Sequence, residues 1–549
     1  MSSILLLGLD GATRDVIDPL VAAGRLPNLA AWMQRGVALP LPSTVPPMSF
    51  PAWSTFLTGL GPGEHGLFDF TQKVAGEYRI RFVNATDRRG ASIFRRATHA
   101  GRRSLALGIP ATFPPEPLSG LLVSGFDAPV STGTDARSAS DAALYTEVAD
   151  RVGPWMRPDL DESARTQDWH ERAVGRLLER IDRKTAFALD ALARLRARAG
   201  GERPDLVSIV FAESDTVAHH FWRDHDPRSP RHDPTASAER RRAVAAVYER
   251  LDAACGEIRA AFGEDAPCVV LSDHGSGGAS RRVVHLNRRL AECGLLRRSG
   301  ARGLDRLARS ARDLALRALP PRAAERLFRR ARGAAARVES AARFGGFDWH
   351  GSAAFSEEAN TQPGVWINLR GREAAGCVEP PDYERVRSDV IEAVLDWRLP
   401  GGAPVVERAR RREEVYAGPC VERAPDVVIE LALDAGYGLS LVPTPWSDPQ
   451  TGSVRTLAED ELAGGRGRGM NGTHRPAGVW IATGAAVDWL DPESAPSLQD
   501  VAPALERALG LPVEREDGDG DMEATGHTEY SAEEEARVAA RLRALGYLE

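Results

Sequence analysis

Short continuous apolar runs, each closed by Gly, Pro, Asp or Ser, recur along this chain and alternate with long stretches of helical spacing. The first, Ile4–Leu9, is apolar throughout, as a strand covered on both faces would be. Asp10-Gly11 then turns the chain into Asp15–Ala23, which has helix spacing; Gly24 ends that helix, and Pro27 starts another that runs to Gly36. Further strands are expected at Ser104–Leu107, Gly120–Ser124, Leu206–Ala212, Cys268–Ser272, Gly364–Leu369, Asp426–Leu431 and Val479–Thr483. Long helices are expected at Trp169–Ala197 and Ala238–Phe262. Such alternation predicts an α/β fold with a mainly parallel central sheet and helices on both faces.

Two regions break the pattern. Arg297–Arg343 is built almost wholly from Arg, Ala and Leu and is split by Pro320-Pro321, which reads as an inserted helical cap. It is either a solvated, salt-bridged helix pair or a basic lid over an anionic substrate or lipid surface. Glu514–Asp521 is acidic and Gly-rich and is expected to be a loop, after which Ser531–Leu545 has helix spacing with Ser531 as its N-cap. The expected organisation is a core over 1–296, the cap over 297–346, and the rest of the core with the acidic loop and last helix over 347–549.

Length, 549 residues, exceeds the usual single-core size, and 43% apolar residues suffice to pack it. A formal charge of −7 argues against a general binder of nucleic-acid polymers. Lysine occurs only at Lys73 and Lys184, so arginine carries nearly all the positive charge, which reads as genomic bias. The five cysteines form no C-x-x-C pair, which fits a reducing compartment and makes a thiolate metal site a poor expectation. The first apolar run is too short for a signal peptide, and no stretch approaches the roughly 20 apolar residues of a membrane span. A cytoplasmic location is the default expectation.

Candidate chemistry follows the apolar runs. Asp10 closes the first, Asp215 and His219 follow Leu206–Ala212, Asp273-His274 follow Cys268–Ser272, and His474 precedes Val479–Thr483. In open parallel sheets, residues beyond the carboxyl ends of strands meet even when hundreds of positions apart, and together these read as one metal site. Taken singly, each has a plainer reading. Asp215 and His219, one helical turn apart, suit two ligands of one ion, or an N-terminal charge with a surface histidine. Glu213, His220 and His225 crowd the same region as competitors or outer partners. Asp10 is a ligand or a helix N-cap, and Asp273-His274 is a ligand pair or a polar turn ended by the glycines at 275, 277 and 278. His474 alone is an ordinary loop histidine, and Gly-Glu-His65-Gly is first a structured turn.

A further segment narrows the reading: Ser43 to Gly59, rich in Ser, Pro and aromatic residues and ending Leu-Thr-Gly, with His65-Gly66 after it. In order, Leu-Asp10-Gly, this segment, Asp215-x-x-x-His219, Ser-Asp273-His274-Gly and Gly-x-His474 resemble the type I phosphodiesterase/nucleotide pyrophosphatase family of the alkaline phosphatase superfamily. The likeness extends from residue 4 to the carboxyl end; Gly364-Val-Trp-Ile-Asn-Leu-Arg-Gly-Arg-Glu373 and Ala424-Pro-Asp426 look like features of its bacterial branch.

The resemblance implies an alkaline phosphatase-like three-layer sandwich and a metal-dependent phosphohydrolase, foremost a phosphodiesterase, acting on a small phosphorylated substrate. It implies Ser49 as nucleophile, one metal on Asp10, Ser49, Asp273 and His274, and another on Asp215, His219 and His474. The two divalent ions would be Zn²⁺, with Mn²⁺ the alternative, since each set mixes carboxylate and imidazole. As the first residue of a helix start, Ser49 is also a candidate N-cap. Alternatives on the same scaffold are a phosphomonoesterase, a phosphoryl-transferring mutase, or a binding protein without turnover. Two departures shape the expectation. Trp53 stands where sulfatases need Arg, which disfavours sulfatase activity. Phe70 stands where nucleotide pyrophosphatases place a phosphate-binding Asn, which weakens the case for nucleotide diesters.

Overall fold

Every residue of Ile4–Leu9 is buried, and the side chains divide by parity: Leu5, Leu7 and Leu9 join one apolar cluster, Ile4 and Leu6 another. That is a strand with cover on both faces. The computed structural model describes residues 3–128, 136–155, 169–299, 340, 343–446, 451–462, 470–491, 493, 496–512 and 530–544. In it this strand is central to a seven-stranded sheet whose order is Val37–Pro42, Ala477–Thr483, Cys268–Leu271, Ile4–Leu9, Leu206–Phe211, Ser104–Ile109 and Gly120–Ser124. The five strands from Cys268–Leu271 to Gly120–Ser124 are parallel, and Ala477–Thr483 is antiparallel to both neighbours. Trp169–Arg198 and Ala238–Phe262 supply the cluster on one face, while Ser49–Thr58, Ile93–His99 and Val501–Leu509 supply the other. The expected mainly parallel sheet with helices on both faces is therefore present.

Register decides where the chemistry emerges. Leu9 pairs with Phe211 and Gly8 with Leu271, so three adjacent parallel strands end level with one another. Asp10, the Glu213–His225 helix carrying Asp215 and His219, and Asp273-His274 all leave the sheet at that carboxyl edge.

By internal contacts the chain forms two units, one of residues 1–67, 84–278 and 471–528, the other of residues 68–83, 279–470 and 529–549. The large sheet belongs to the first. The second contains an antiparallel sheet ordered Ala354–Phe355, Gly364–Ile367, Val427–Leu431 and Val406–Arg411, packed with the helix Tyr383–Leu395. Its anchor is Asp426, fully buried, which accepts from Arg372 at 2.7 and 2.6 Å, from the Ile367 amide at 2.6 Å and from the Tyr383 hydroxyl at 2.5 Å. Burial alone would raise that carboxyl, but Arg372 and Arg412 hold it low. The segments 364–373 and 424–426 thus meet as one structural ion-pair network.

Both lysines are buried in ion pairs: Lys73 with Glu373 at 2.5 Å and Lys184 with Glu213 at 2.8 Å. Of the expected cap, residues 300–339, 341 and 342 lie outside the described residues, as does the acidic loop at 514–521.

Three local expectations are corrected. The N-cap of the helix Ser49–Thr58 is Met48, and Ser49 is its first helical residue. Asp10 caps nothing, since Thr13 is the N-cap of Arg14–Ala22. The glycines after His274 do not end the strand signal; Cys268–Leu271 ends before them, and after a three-residue break the chain resumes as the strand Gly275–Val284. Within the first unit, residues 275–278 pair antiparallel with Gly472–Arg475. A Cβ at Gly275 would stand 2.3 Å from the Ala477 carbonyl oxygen and one at Gly277 2.5 Å from Arg475 Nε, so glycine there serves close approach.

Candidate metal centre

Asp10, Ser49, Asp215, His219, Asp273, His274 and His474 come together in the first unit, all buried except His474, which is partly exposed. The turn at Asp10-Gly11 begins the construction. Gly11 has φ +66°, and a Cβ there would lie 2.8 Å from Asp215 Oδ1, so glycine admits the Asp215 carboxylate against the turn. Ser214 Oγ donates to the Asp10 carbonyl at 2.6 Å and Ser276 Oγ to the Gly11 carbonyl at 2.7 Å, bracing the same two residues. The Gly11 amide donates to Asp273 Oδ1 at 3.2 Å.

Asp215 Oδ1 lies 3.2 Å from His219 Nε2 and 3.5 Å from His474 Nε2, and the two imidazole nitrogens are 3.0 Å apart. The far nitrogens face carbonyls, His219 Nδ1 to Gly472 O at 3.0 Å and His474 Nδ1 to Pro47 O at 2.9 Å. A carbonyl only accepts, so Nδ1 carries the hydrogen in both rings, and in the neutral rings both Nε2 lone pairs point inward at a carboxylate oxygen. His274 repeats the device: its Nδ1 donates to Gly275 O at 3.0 Å, and its Nε2 faces Ser49 Oγ at 3.1 Å, Asp273 Oδ2 at 3.3 Å and Asp10 Oδ1 at 3.7 Å. Inward lone pairs fixed by outward carbonyls are the arrangement of metal-bound histidines.

Two sets of donor atoms are tight enough to hold an ion, Asp215 with His219 and His474, and Asp10 with Asp215 and His274, each within 4.8 Å. Asp215 belongs to both, whereas the family pattern assigns it to one. Among the described residues Asp273 Oδ2 accepts no hydrogen bond despite full burial. A buried carboxylate oxygen left so calls for a cation.

Electrostatics agree. Burial, then the charges of Asp273 and Asp215, push the Asp10 carboxyl well above its usual range. Burial and Asp215 push Asp273 up to about 8, against the Gly11 hydrogen bond. Burial would also raise Asp215, but His219 and His474, when they carry a proton on Nε2 in place of a cation, hold it well below the ordinary value. Burial and neighbouring His474 lower His274 well below an ordinary imidazole. A site of three buried carboxylates and three inward imidazole nitrogens is stabilised by divalent positive charge.

Ser49 opens the helix Ser49–Thr58, with its hydroxyl 3.3 Å from Asp10 Oδ1. One turn on, Trp53 Nε1 donates to Asp10 Oδ2 at 3.0 Å, a contact that the sequence does not announce. Of the other candidates, Glu213 is committed to Lys184, and His220 packs edge-on against Trp169. His65 is buried under the helix; its Nδ1 accepts from the Leu67 amide at 3.1 Å, and its Nε2 lies 3.1 Å from Thr55 Oγ1. It braces the helix that bears Ser49 through Thr55. The serines at 214 and 276 were missed, although Ser214 adjoins Asp215 and Ser276 lies two positions from His274 in the sequence.

A family model, type I phosphodiesterase / nucleotide pyrophosphatase, matches residues 4–440. The chain belongs to that family. It is accordingly a hydrolase of the alkaline phosphatase superfamily. The match ends short of His474, which enters the site through the pairing of Gly472–Arg475 with residues 275–278. Phosphonoacetate hydrolase from Sinorhizobium meliloti 1021, in complex with phosphonoformate, superposes with a TM-score of 0.52 at 14% identity, over 93% of this chain and 95% of that one. The same protein with phosphonoacetate gives a TM-score of 0.52 at 15% identity, again over 93% and 95%. Murine ectonucleotide pyrophosphatase / phosphodiesterase 5 is 12% identical over 94% of this chain and 98% of that one, with a TM-score of 0.44. At such identities the likeness to the hydrolase is one of fold. Among curated proteins, none matches this family member. No described helix is long and apolar enough to cross a membrane.

Proposed function

We propose that this chain is a two-metal phosphodiesterase that works through a phosphorylated Ser49. The observation that carries the reading is the position of the Ser49 hydroxyl, 3.1 Å from His274 Nε2 and 3.3 Å from Asp10 Oδ1, at the first turn of a helix. Asp10, Ser49, Asp273 and His274 would hold one divalent cation and Asp215, His219 and His474 the other. Zinc suits donor sets that mix carboxylate with imidazole. Bound there, such cations would favour the Ser49 alkoxide and offset charge on the phosphoryl and leaving oxygens.

The chain's own residues do the rest. Asp10 Oδ1 accepts the hydroxyl hydrogen bond and so aims Ser49 Oγ. The positive end of the helix that starts at Ser49 favours an anionic phosphoryl group next to it. Ser49 Oγ gives up its proton to water and forms a bond to phosphorus as the bond to the departing alcohol oxygen breaks, and that oxygen takes a proton back from water. Water then attacks the phosphoserine from the vacated side, breaks the Oγ–P bond and restores the hydroxyl. Two displacements leave the configuration at phosphorus retained.

Hydrolysis of bis-p-nitrophenyl phosphate, compared with p-nitrophenyl phosphate, tests the substrate class, with the diester expected to be the better substrate. Preference for the monoester would replace the diesterase reading with a monoesterase one. A chiral phosphorothioate diester tests the covalent step, and inversion would exclude it.

A further inference from the structure

The helix Ser49–Thr58 addresses both oxygens of one carboxylate from a single face. Ser49 Oγ lies 3.3 Å from Asp10 Oδ1, and Trp53 Nε1 donates to Oδ2 at 3.0 Å. We infer that Trp53 is a positioning residue, whose indole N–H occupies Asp10 Oδ2 and leaves Oδ1 as the single oxygen offered to the cation beside Ser49. This rests on the proposed metal site and extends it to a residue outside the ligand set.

Three features support the assignment. The ring cannot swing away: Trp53 is fully buried, and the space for it is made at Gly8, where a Cβ would lie 2.8 Å from Trp53 Cη2. Phe56 closes on the indole edge-to-face, with centroids 5.3 Å apart. The donor is also chemically suited, because an indole N–H is a neutral single donor with no acceptor. A guanidinium in its place would bring a permanent charge and pair with the carboxylate that the cation needs. Nor does this apolar layer compel every indole to find a partner. Trp480, fully buried in the same cluster, has no acceptor for its Nε1 among the described residues. The Trp53 bond is thus a feature of the Asp10 site, in the manner of outer partners that orient metal ligands.

The test is Zn²⁺ binding to the metal-free full chain by competition with a chromophoric chelator, on wild type, Trp53→Phe, Asp10→Ala and the double variant. Trp53→Phe keeps an aromatic ring and removes the donor. It is expected to weaken one of two bound ions by about 10-fold or more and leave the other unchanged, as loss of such partners does. In the Asp10→Ala background the same substitution should add no further loss. Unchanged affinity in Trp53→Phe, or an equal loss without Asp10, would overturn the inference and leave Trp53 as packing alone. Absence of Zn²⁺ binding by wild type would instead overturn the site reading itself. Should the variant fail to fold, the wild-type ¹⁵N-indole spectrum decides. One tryptophan N–H shifted downfield and protected from exchange, moving on Zn²⁺ titration, is the expected result; an unmoved set of indole signals would overturn the inference.

Discussion

His219 and His474 face each other Nε2 to Nε2 at 3.0 Å, each turned inward by a carbonyl on its opposite nitrogen. Two lone pairs at that distance repel unless a proton or a cation lies between them, and Asp215 Oδ1 completes the third side. Replacing His474 with Ala is therefore expected to weaken one Zn²⁺ ion by more than the roughly 10–100-fold that loss of an outer partner costs. Equilibrium competition on the metal-free protein measures it. Wild-type affinity and stoichiometry in the variant would remove His474 from the centre.

Ser49 makes a sharper kinetic prediction. Ser49→Ala should lower kcat for a diester by at least about 1,000-fold, about 4 kcal/mol of barrier, because it removes the attacking oxygen. Ser49→Thr, which keeps a hydroxyl on the same atom, should retain measurable turnover. Single-turnover assays with a ³²P-labelled diester should label wild type and leave Ser49→Ala unlabelled; equal hydrolysis by both would end the role assigned to Ser49.

The parts of this fold that were legible in the sequence are those that burial dictates. Ile4–Leu9, Leu206–Phe211 and Cys268–Leu271 are covered on both faces, so they read as unbroken apolar runs, and the residues after them were read as one site because parallel strands end together. Gly275–Val284 was missed because Gly, Ser and Arg carry no strand preference; its partners supply the order. Val37–Pro42 was hidden by Pro40 and Pro42, which an edge strand tolerates because, among the described residues, only Ala477–Thr483 pairs with it. In the site, ligand types were readable from motifs, whereas the Trp53 bond to Asp10 spans 43 positions and depends on the packing of a helix over Gly8.

His65 predicts a pH dependence of stability. Burial, then the charge of Arg88, lowers its imidazole from 6.5 to about 3, so the folded chain keeps it neutral while the unfolded chain protonates it. The contribution is present in full above the unfolded value and is lost as pH falls from about 6.5 toward 3. Between pH 7 and pH 5 wild type should lose about 2 kcal/mol more unfolding free energy than His65→Gln, by urea titration. Parallel losses in the two proteins would contradict the assignment.

Lys184 predicts a structural cost without chemistry. Its ammonium lies 2.8 Å from Glu213 with side-chain exposures of 2% and 0%, beneath the Trp155 ring at 5.5 Å. Lys184→Met would leave the Glu213 carboxylate buried without its counter-charge, which costs about 3–5 kcal/mol. Removing both charges, as Lys184→Met with Glu213→Leu, leaves an apolar pair and should recover most of that loss. Glu213 opens the helix that carries Asp215 and His219, so the single variant should also bind Zn²⁺ more weakly while the double variant regains binding. Denaturant unfolding of the three proteins separates the outcomes. A single variant as stable as wild type would mean that Glu213 reaches water or another cation, and the pair would then carry no weight in the fold.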